Sequence, residues 1–397
     1  MLVVAALTPD TFEIELLDEN IEPIDFEKGY DLIGITAMTQ QAKRAFEISD
    51  AFRKKGATTI IGGIHATVLP EEAKQYADSV VVGEAEDTWP QVISDFLKKK
   101  MKPFYESKTE IDLSTTPFPR YDLLKEKHYN TIWIQTTRGC PHDCEFCAAT
   151  RVFGKKYRHK SIKQVVEEVC YVKEHFKNSR IAFSDDNLFV DRSFSKLLLR
   201  EITPLNIRFH AQSDISIAED DELLRMLVKS GCSFVLVGFE SISEDSLKGM
   251  DRANWKYRHL SKYSEHIKKI QSMGIGILGA FIVGLDNDDA SIFPRLVDFV
   301  VDHNLFETQV TISTPLPGTR LRERLDREGR LLQTDWDNYT FSEVNFIPKK
   351  MSVEELEAGF VQTYRSIDEK MGYLKKFEYF KNIQRDLLRY DREVFRN

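Results

Sequence analysis

The chain has 397 residues, 42% of them hydrophobic and 30% charged, and a formal net charge of −8 at pH 7. This length suggests two or three domains with a sizeable core, and the acidic balance argues against nucleic acid as a partner, which needs a concentrated basic face. No apolar run approaches the roughly 18 residues of a membrane span, and five cysteines with no secretory segment suit a cytoplasmic, reducing compartment better than a disulfide framework.

Residues 1–100 read as alternating helices and strands. Residues 1–7 look like the last turns of a helix, 12–17 and 32–36 like strands, and 42–55 like a helix closed by Gly56, with the next strand at 58–63. Residues 71–76, 79–83 and 88–99 repeat the cycle, which gives a small, mostly parallel α/β sheet. Three runs place glycine at strand ends: Asp31-Leu32-Ile33-Gly34-Ile35-Thr36, Gly62-Gly63-Ile64-His65 and Val82-Gly83-Glu84-Ala85-Glu86. Such glycines either let a ligand approach the carboxyl edge of the sheet or serve as ordinary turn residues. His65 reads as a hydrogen-bonded turn residue or as a ligand contact. Residues 101–130, with Pro103, Pro117 and Pro119, read as a linker.

A strand over 131–136 then delivers Thr136-Thr137-Arg138-Gly139-Cys140-Pro141-His142-Asp143-Cys144-Glu145-Phe146-Cys147, where Cys140, Cys144 and Cys147 stand in a Cys-x3-Cys-x2-Cys spacing. One loop of that length can wrap three corners of a 4Fe-4S cubane, whose irons take thiolates, and leave the fourth iron open. A structural zinc site is the alternative; it wants four closed ligands, with His142 or His159 as the fourth. The basic run Lys155-Lys156-Tyr157-Arg158-His159-Lys160 is either a solvated turn or counter-charge for a cluster or anion.

Beyond the loop the helix, glycine, strand cycle lengthens. Helices are expected at 161–176, 222–229, 262–273 and 294–303, and strands at 180–184, 234–239, 277–283 and 309–313, a pattern that builds a parallel barrel or part of one. Cys170 and Cys232 are expected in the core. Barrel enzymes carry their chemistry at the C-terminal ends of strands. The candidates there are Ser184-Asp185-Asp186-Asn187, Ala211-Gln212-Ser213-Asp214, Gly238-Phe239-Glu240-Ser241, the Ile282-Val283-Gly284 strand end and Thr314-Pro315-Leu316-Pro317-Gly318-Thr319. Helix caps, turns and core packing are the rival readings of each. Ser352 and Glu355 have capping-box spacing and open a helical region that continues to residue 397; Trp336, Tyr339 and Phe341 before it read as core or as a substrate-facing cluster.

The cysteine spacing, with Phe146 before the last cysteine, resembles the radical S-adenosylmethionine (radical SAM) enzymes, and the three glycine runs resemble their cobalamin-binding subgroup, which includes the hopanoid methylase and the anaerobic protoporphyrin-ester cyclase. The resemblance implies an α/β chain. A Rossmann-like cobalamin-binding-type domain over 1–100, lacking its usual first strand and any Asp-x-His-x-x-Gly motif, is followed by the 101–130 linker. A partial (β/α) barrel over 131–345 and a helical C-terminal region over 346–397 complete it. It implies Cys140, Cys144 and Cys147 as ligands of a 4Fe-4S cluster, and SAM on the open iron, contacted by Asp185, Asp186, Glu240, Ser241, Ile282 and Val283. Cobalamin is implied as a third cofactor. The implied activity is radical chemistry at an unactivated carbon, methyl transfer in the first place and rearrangement, oxidation or carbon–carbon bond formation in the second, with a non-catalytic metal-binding protein as the alternative class. The implied partners are a small, apolar substrate and an external electron donor such as flavodoxin or ferredoxin.

Overall fold

The computed structural model describes residues 1–107 and 110–372, together with Glu378 and Lys381. The helical continuation expected beyond residue 372 otherwise lies outside the described residues. No helix among the described residues is long and apolar enough to cross a membrane.

The first sheet is parallel, with β1 (Leu32–Thr36), β2 (Thr58–Gly62), β3 (Ser79–Val82) and β4 (Phe104–Glu106) side by side in that order. Helices pack on both of its faces. One apolar cluster joins Phe46, Ala66 and Ala73 to Ile61 and Val80, and another joins Trp89, Val92 and Ile93 to Ile60 and Val81. β4 lies inside the stretch expected to be linker. It was hidden because three residues directly after Pro103 are too few to show a period.

The segment 12–17 departs from expectation. Its side chains alternate between half-buried and exposed, as in a strand, yet residues 13–17 pair with nothing and make no backbone–backbone hydrogen bond among the described residues. β1, the nearest strand, ends the sheet on that side, and a slot of about 760 Å³ lined by both segments separates them. An extended segment becomes a strand only when a neighbour stands about 4.8 Å away, and the slot removes that neighbour. The helix Leu2–Ala6 closes one end of the slot, as residues 1–7 suggested.

The second sheet begins with β5 (Thr131–Ile134). The chain then makes a short antiparallel ribbon, β6 (Thr137–Arg138) against β7 (Arg158–His159), that frames the cysteine loop. It continues with β8 (Arg180–Phe183), β9 (Phe209–Ser213), β10 (Cys232–Glu240), β11 (Gly276–Val283) and β12 (Glu307–Ile312), each parallel to its predecessor in the six-stranded sheet. Six parallel strands curl into a half-barrel. Ile132, Ile134, Phe183, Phe209, Val235, Val237 and Phe239 fill the core under the helices on its outer face.

The signals that start and stop its helices are local. Ser161 and Gln164 close a capping box on Ile162–His175, Asp191 and Asp220 cap Arg192–Ile202 and Asp221–Ser230, and Ser352 and Glu355 box Val353–Met371. Gly231 ends Asp221–Ser230 at φ +94°, where an added Cβ would stand 2.0 Å from the Ile207 carbonyl oxygen.

The run 211–214, read as a cavity edge or a turn, is the end of strand β9, whose concave-facing residues are polar, so no apolar run marks it. One further expectation fails. Cys170 is exposed rather than core, because Val165, Val169 and Val172 define the buried stripe of its helix and Cys170 falls outside it. Cys232 is buried at the start of β10, as expected.

The two sheets are joined by buried charge. Glu84, at the end of β3, accepts hydrogen bonds from Arg138 Nη1 at 2.7 Å and Arg158 Nη1 at 2.7 Å, and Arg138 Nη2 also reaches Glu86 at 2.6 Å. Burial alone would raise the Glu84 carboxyl, but the hydrogen bonds from Arg158 and Arg138 hold it below its ordinary value. Removing one partner of such a network leaves buried, uncompensated charge. Glu84→Ala is therefore expected to lower the unfolding free energy by about 3–5 kcal/mol, measured by denaturant titration of the full chain.

Candidate functional site

The cysteine loop begins where β5 ends, and Asp185 at the end of β8 fixes its first residues. The Asp185 carboxylate accepts hydrogen bonds from Thr136 N at 2.8 Å, from Thr137 N and from Thr136 Oγ1 at 3.0 Å. Gly139 then turns the chain at φ +88°, with its Cα so close to the next pass of chain that a Cβ would lie 2.2 Å from the Lys156 carbonyl oxygen.

The far half of the loop is held from two more sides. Cys144 forms an isolated antiparallel bridge with Asp251, Glu145 N donates to Met250 O at 2.9 Å, and Leu321 N donates to Glu145 O at 3.0 Å. Asp143 ion-pairs with Lys155 at 2.8 Å and Arg252 at 2.6 Å, while Arg324 reaches Glu145 at 2.9 Å. These contacts fix the backbone that carries the three thiols.

Cys144 is buried, and Cys140 and Cys147 are half-buried. Burial pushes Cys140 up to about 12 and raises Cys144 and Cys147 as well, so each would be neutral without a metal to ionise it. Their electrostatic neighbours are one another, Asp186, Glu240 and Lys256. The histidines proposed for zinc are engaged elsewhere. His142 Nε2 lies 3.0 Å from Asp214 Oδ2 and its ring packs on Trp255, while His159 stacks on Phe194 with Nδ1 at 2.9 Å from Lys160 O. Among the described residues no three His, Cys, Asp or Glu side chains converge as ligands of a single ion. A cubane asks for something else, one thiolate at each of three separate irons, and the loop suits that.

The two aspartates have different surroundings. Asp185 is spent on the loop backbone, and its burial pushes its carboxyl up to about 6. Asp186 accepts no hydrogen bond from the described residues; enclosure by protein raises its carboxyl too. Glu240 adopts φ +66° where the β10–β11 pairing shifts register, and its carboxylate meets Lys256 Nζ at 2.8 Å. Ser241 Oγ accepts from Ser243 N at 3.1 Å. Ile282 packs with Leu247, Met250, Leu285 and Phe146 beside the cysteine loop, whereas the Val283 side chain is packed in the helix-covered core. Asp214 gathers Asn187, His142 and Ser216.

The basic run divides: Lys155 and Lys156 lie exposed at a bend, as a solvated turn would, whereas Arg158 and Lys160 are buried. Lys155 meets Asp143, Arg158 meets Glu84, and Lys160 meets Glu168. Sequence reasoning missed Lys256, which lies in a run with no motif around it, and missed that Arg138, next to Gly139-Cys140, belongs to the joint between the sheets.

A cavity of about 390 Å³ opens where the carboxyl edges of both sheets meet. Gly34, Gly62, Gly63 and Gly83 line it from the first sheet, and Trp133, Gln135, Arg138 and Ser184 from the second. All three glycine runs reach this cavity. His65 does not line it: it is buried, with Nε2 3.2 Å from Glu72, and Trp336 bonds the same carboxylate at 2.9 Å. Tyr339 is buried beside Trp336, and Phe341 is exposed.

Models of three families match the chain. Residues 134–300 match the radical SAM superfamily, 1–93 the B12 binding domain, and 319–392 a domain of unknown function, DUF4070. The bacteriochlorophyllide d C-12(1)-methyltransferase of Chlorobaculum tepidum is 30% identical over 388 residues, which cover 95% of this chain and 84% of that protein. The chain is a radical SAM enzyme of the cobalamin-binding subgroup. The C-8(2)-methyltransferase of the same organism is 33% identical over 352 residues, 85% of this chain and 78% of that one. The radical SAM fold is shared with the methyltransferase TsrM from Kitasatospora setae, solved with cobalamin and a [4Fe-4S] cluster: the TM-score is 0.70 at 17% identity, over 82% of this chain and 71% of that one. The cofactors of this radical SAM enzyme are accordingly a 4Fe-4S cluster, SAM and cobalamin, and its substrate is a small molecule.

Gly139→Ala is expected to fold yet to lose at least half of its iron and sulfide on anaerobic reconstitution, because the loop must move away from Lys156; metal and sulfide analysis beside the natural chain checks it. The raised carboxyl of Asp185 also has a sign. The folded chain binds the extra proton between the free-carboxyl value near 3.9 and about 6, so this group's contribution to stability falls as pH rises through that window. Asp185→Asn should flatten that part of a stability–pH curve measured by urea titration.

Proposed function

We propose that this radical SAM enzyme methylates a carbon atom of an uncharged, largely apolar small molecule. The observation that carries the reading is the shared cavity, where the glycine edge of the first sheet faces the mouth of the half-barrel. When bound, the cluster would supply the electron that cleaves SAM, and cobalamin the methyl group. Cys140, Cys144 and Cys147 hold three irons. Asp186, which accepts no hydrogen bond from the described residues, would meet the cationic amino group of SAM, and Glu240 and Ser241 would accept its ribose hydroxyls. Ile282 flanks the adenine, Val283 contributes backbone only, and Asp185 keeps the loop in place.

The concave face of the half-barrel supports the choice of substrate. Trp133, Ala182, His210, Phe234 and Gly276 are register partners across five strands, so they form one row. Trp133 is 51% exposed. His210 stacks on Phe234 with ring centroids 4.5 Å apart and meets Trp133 edge-on at 5.3 Å. Burial, and then the charge of Arg180, keep the His210 imidazole neutral by lowering its pKa. The next row toward the strand ends holds Gln212, Leu236 and Leu278, while Gln135 and Ser184 directly follow β5 and β8. Arg180 stands in the row below that of Trp133, beside His210, and the stacked rings above it offer a flat, apolar face to a substrate. The electron comes from an external donor such as flavodoxin or ferredoxin, since exposed Cys170 and buried Cys232 do not form a second cluster site.

The test is anaerobic reconstitution with cobalamin, methyl-labelled SAM and a strong reductant, against Cys144→Ala. Both 5'-deoxyadenosine and S-adenosylhomocysteine are expected from the natural chain and neither from the variant. 5'-Deoxyadenosine without S-adenosylhomocysteine would replace methyl transfer with rearrangement or oxidation. Trp133→Ala should weaken binding of an uncharged polycyclic probe, protoporphyrin dimethyl ester, about tenfold, as read by fluorescence, and leave substrate-free SAM cleavage unchanged.

A further inference from the structure

Lys256 is a lysine with 5% of its surface exposed, on the short helix Trp255–His259 that packs against the cysteine loop. Lysine is seldom buried unless paired. Here Nζ makes two contacts, a hydrogen bond to Gly238 O at 2.7 Å and an ion pair with Glu240 at 2.8 Å. Both acceptors belong to the irregular end of β10, so one ammonium clamps the bulge that turns Glu240 to positive φ.

The helix is tied to the cluster loop through Asp251. Its backbone bridges Cys144, and its carboxylate accepts from Ala253 N, Trp255 N and Lys256 N at 2.7–3.1 Å. Lys256 therefore keeps a fixed place relative to Cys144. The charged side chains whose fields reach the Cys140 and Cys144 thiols include Asp186, Glu240, Asp251 and Lys256, and Lys256 is the buried cation among these four. Arg252 pairs with Asp143, the residue before Cys144, and its charge is shared there with Lys155 on the same carboxylate.

We propose that Lys256 is a positioning residue with two tasks, to hold the Glu240 carboxylate in place and to act as the buried counter-charge that sets the reduction potential of the cluster. The proposal rests on Cys140, Cys144 and Cys147 as the cluster ligands. Three thiolates make the centre negative, and adding an electron makes it more so. A fixed ammonium in a low-dielectric pocket favours the reduced form and raises the potential, since cluster potentials follow nearby charge and solvent exposure.

The experiment is an EPR-monitored redox titration of the reconstituted full chain, without SAM or substrate, for the natural protein, Lys256→Met, Lys256→Arg and Glu240→Gln. Iron, sulfide and thermal midpoint are recorded for each. The expected result is a lower potential in Lys256→Met at full cluster content, restoration by Lys256→Arg, and a shift of opposite sign in Glu240→Gln, which leaves the ammonium unopposed. An unchanged potential in a cluster-loaded Lys256→Met overturns the proposal. Should Lys256→Met fail to fold or load, Glu240→Gln decides: a potential equal to that of the natural chain overturns the proposal equally. A natural chain that binds no iron would instead sink the ligand assignment on which both readings stand.

Discussion

The carboxylate of Glu84 is shared by two arginines that sit on opposite arms of the ribbon framing the cysteine loop. Arg138 is two residues ahead of Cys140, and Arg158 lies just after the basic turn. The group that ties the first sheet to the second therefore ties it at the cluster loop itself. Buried ion pairs of this kind contribute little net stability against an apolar replacement of equal shape, but they tolerate only one geometry. The glycine edge of the first sheet is consequently held against the half-barrel mouth, and a cobalamin held on that edge would lie beside the cysteine loop's half-barrel. A longer or softer joint would leave each sheet intact and separate the two reactions.

The half-barrel divides its labour by face and by height. Outward residues of the strands are apolar and covered by helices, so the scaffold is rigid. Inward residues near the strand starts include the rings of Trp133, His210 and Phe234, Gln212 and the leucines follow higher up, and carboxylates gather at the top, with Asp185, Asp186, Asp214 and Glu240. Two neighbouring aspartates illustrate the economy. Asp185 gives up ligand binding to brace the backbone, which leaves Asp186 unencumbered.

Much of this was legible in the sequence, for physical reasons. A cysteine spacing reports on one loop, so Cys140, Cys144 and Cys147 needed no tertiary information. Strands buried on one face and bounded by capped helices showed themselves by apolar runs and by residues such as Gly231 and Ser352. What escaped depends on partners distant in the chain. Residues 12–17 have a strand's alternation and no neighbour to pair with; β9 has a neighbour on each side and no apolar run to announce it. Asp185 and Asp186 look alike until the backbone of residues 136–137 is placed. Lys256 acquires its meaning only when Gly238, Glu240 and Cys144 surround it, and the expectation for Cys170 erred by one step around a helix.

The slot beside β1 bears on how the molecule behaves in solution. One row of main-chain amides and carbonyls on β1 and another on residues 13–17 face each other without partners among the described residues. An unpaired edge is a template for any extended chain that can add to it. The same strand thus has two roles to reconcile, since β1 offers an unpaired edge to the slot while its Gly34 lines the shared cavity.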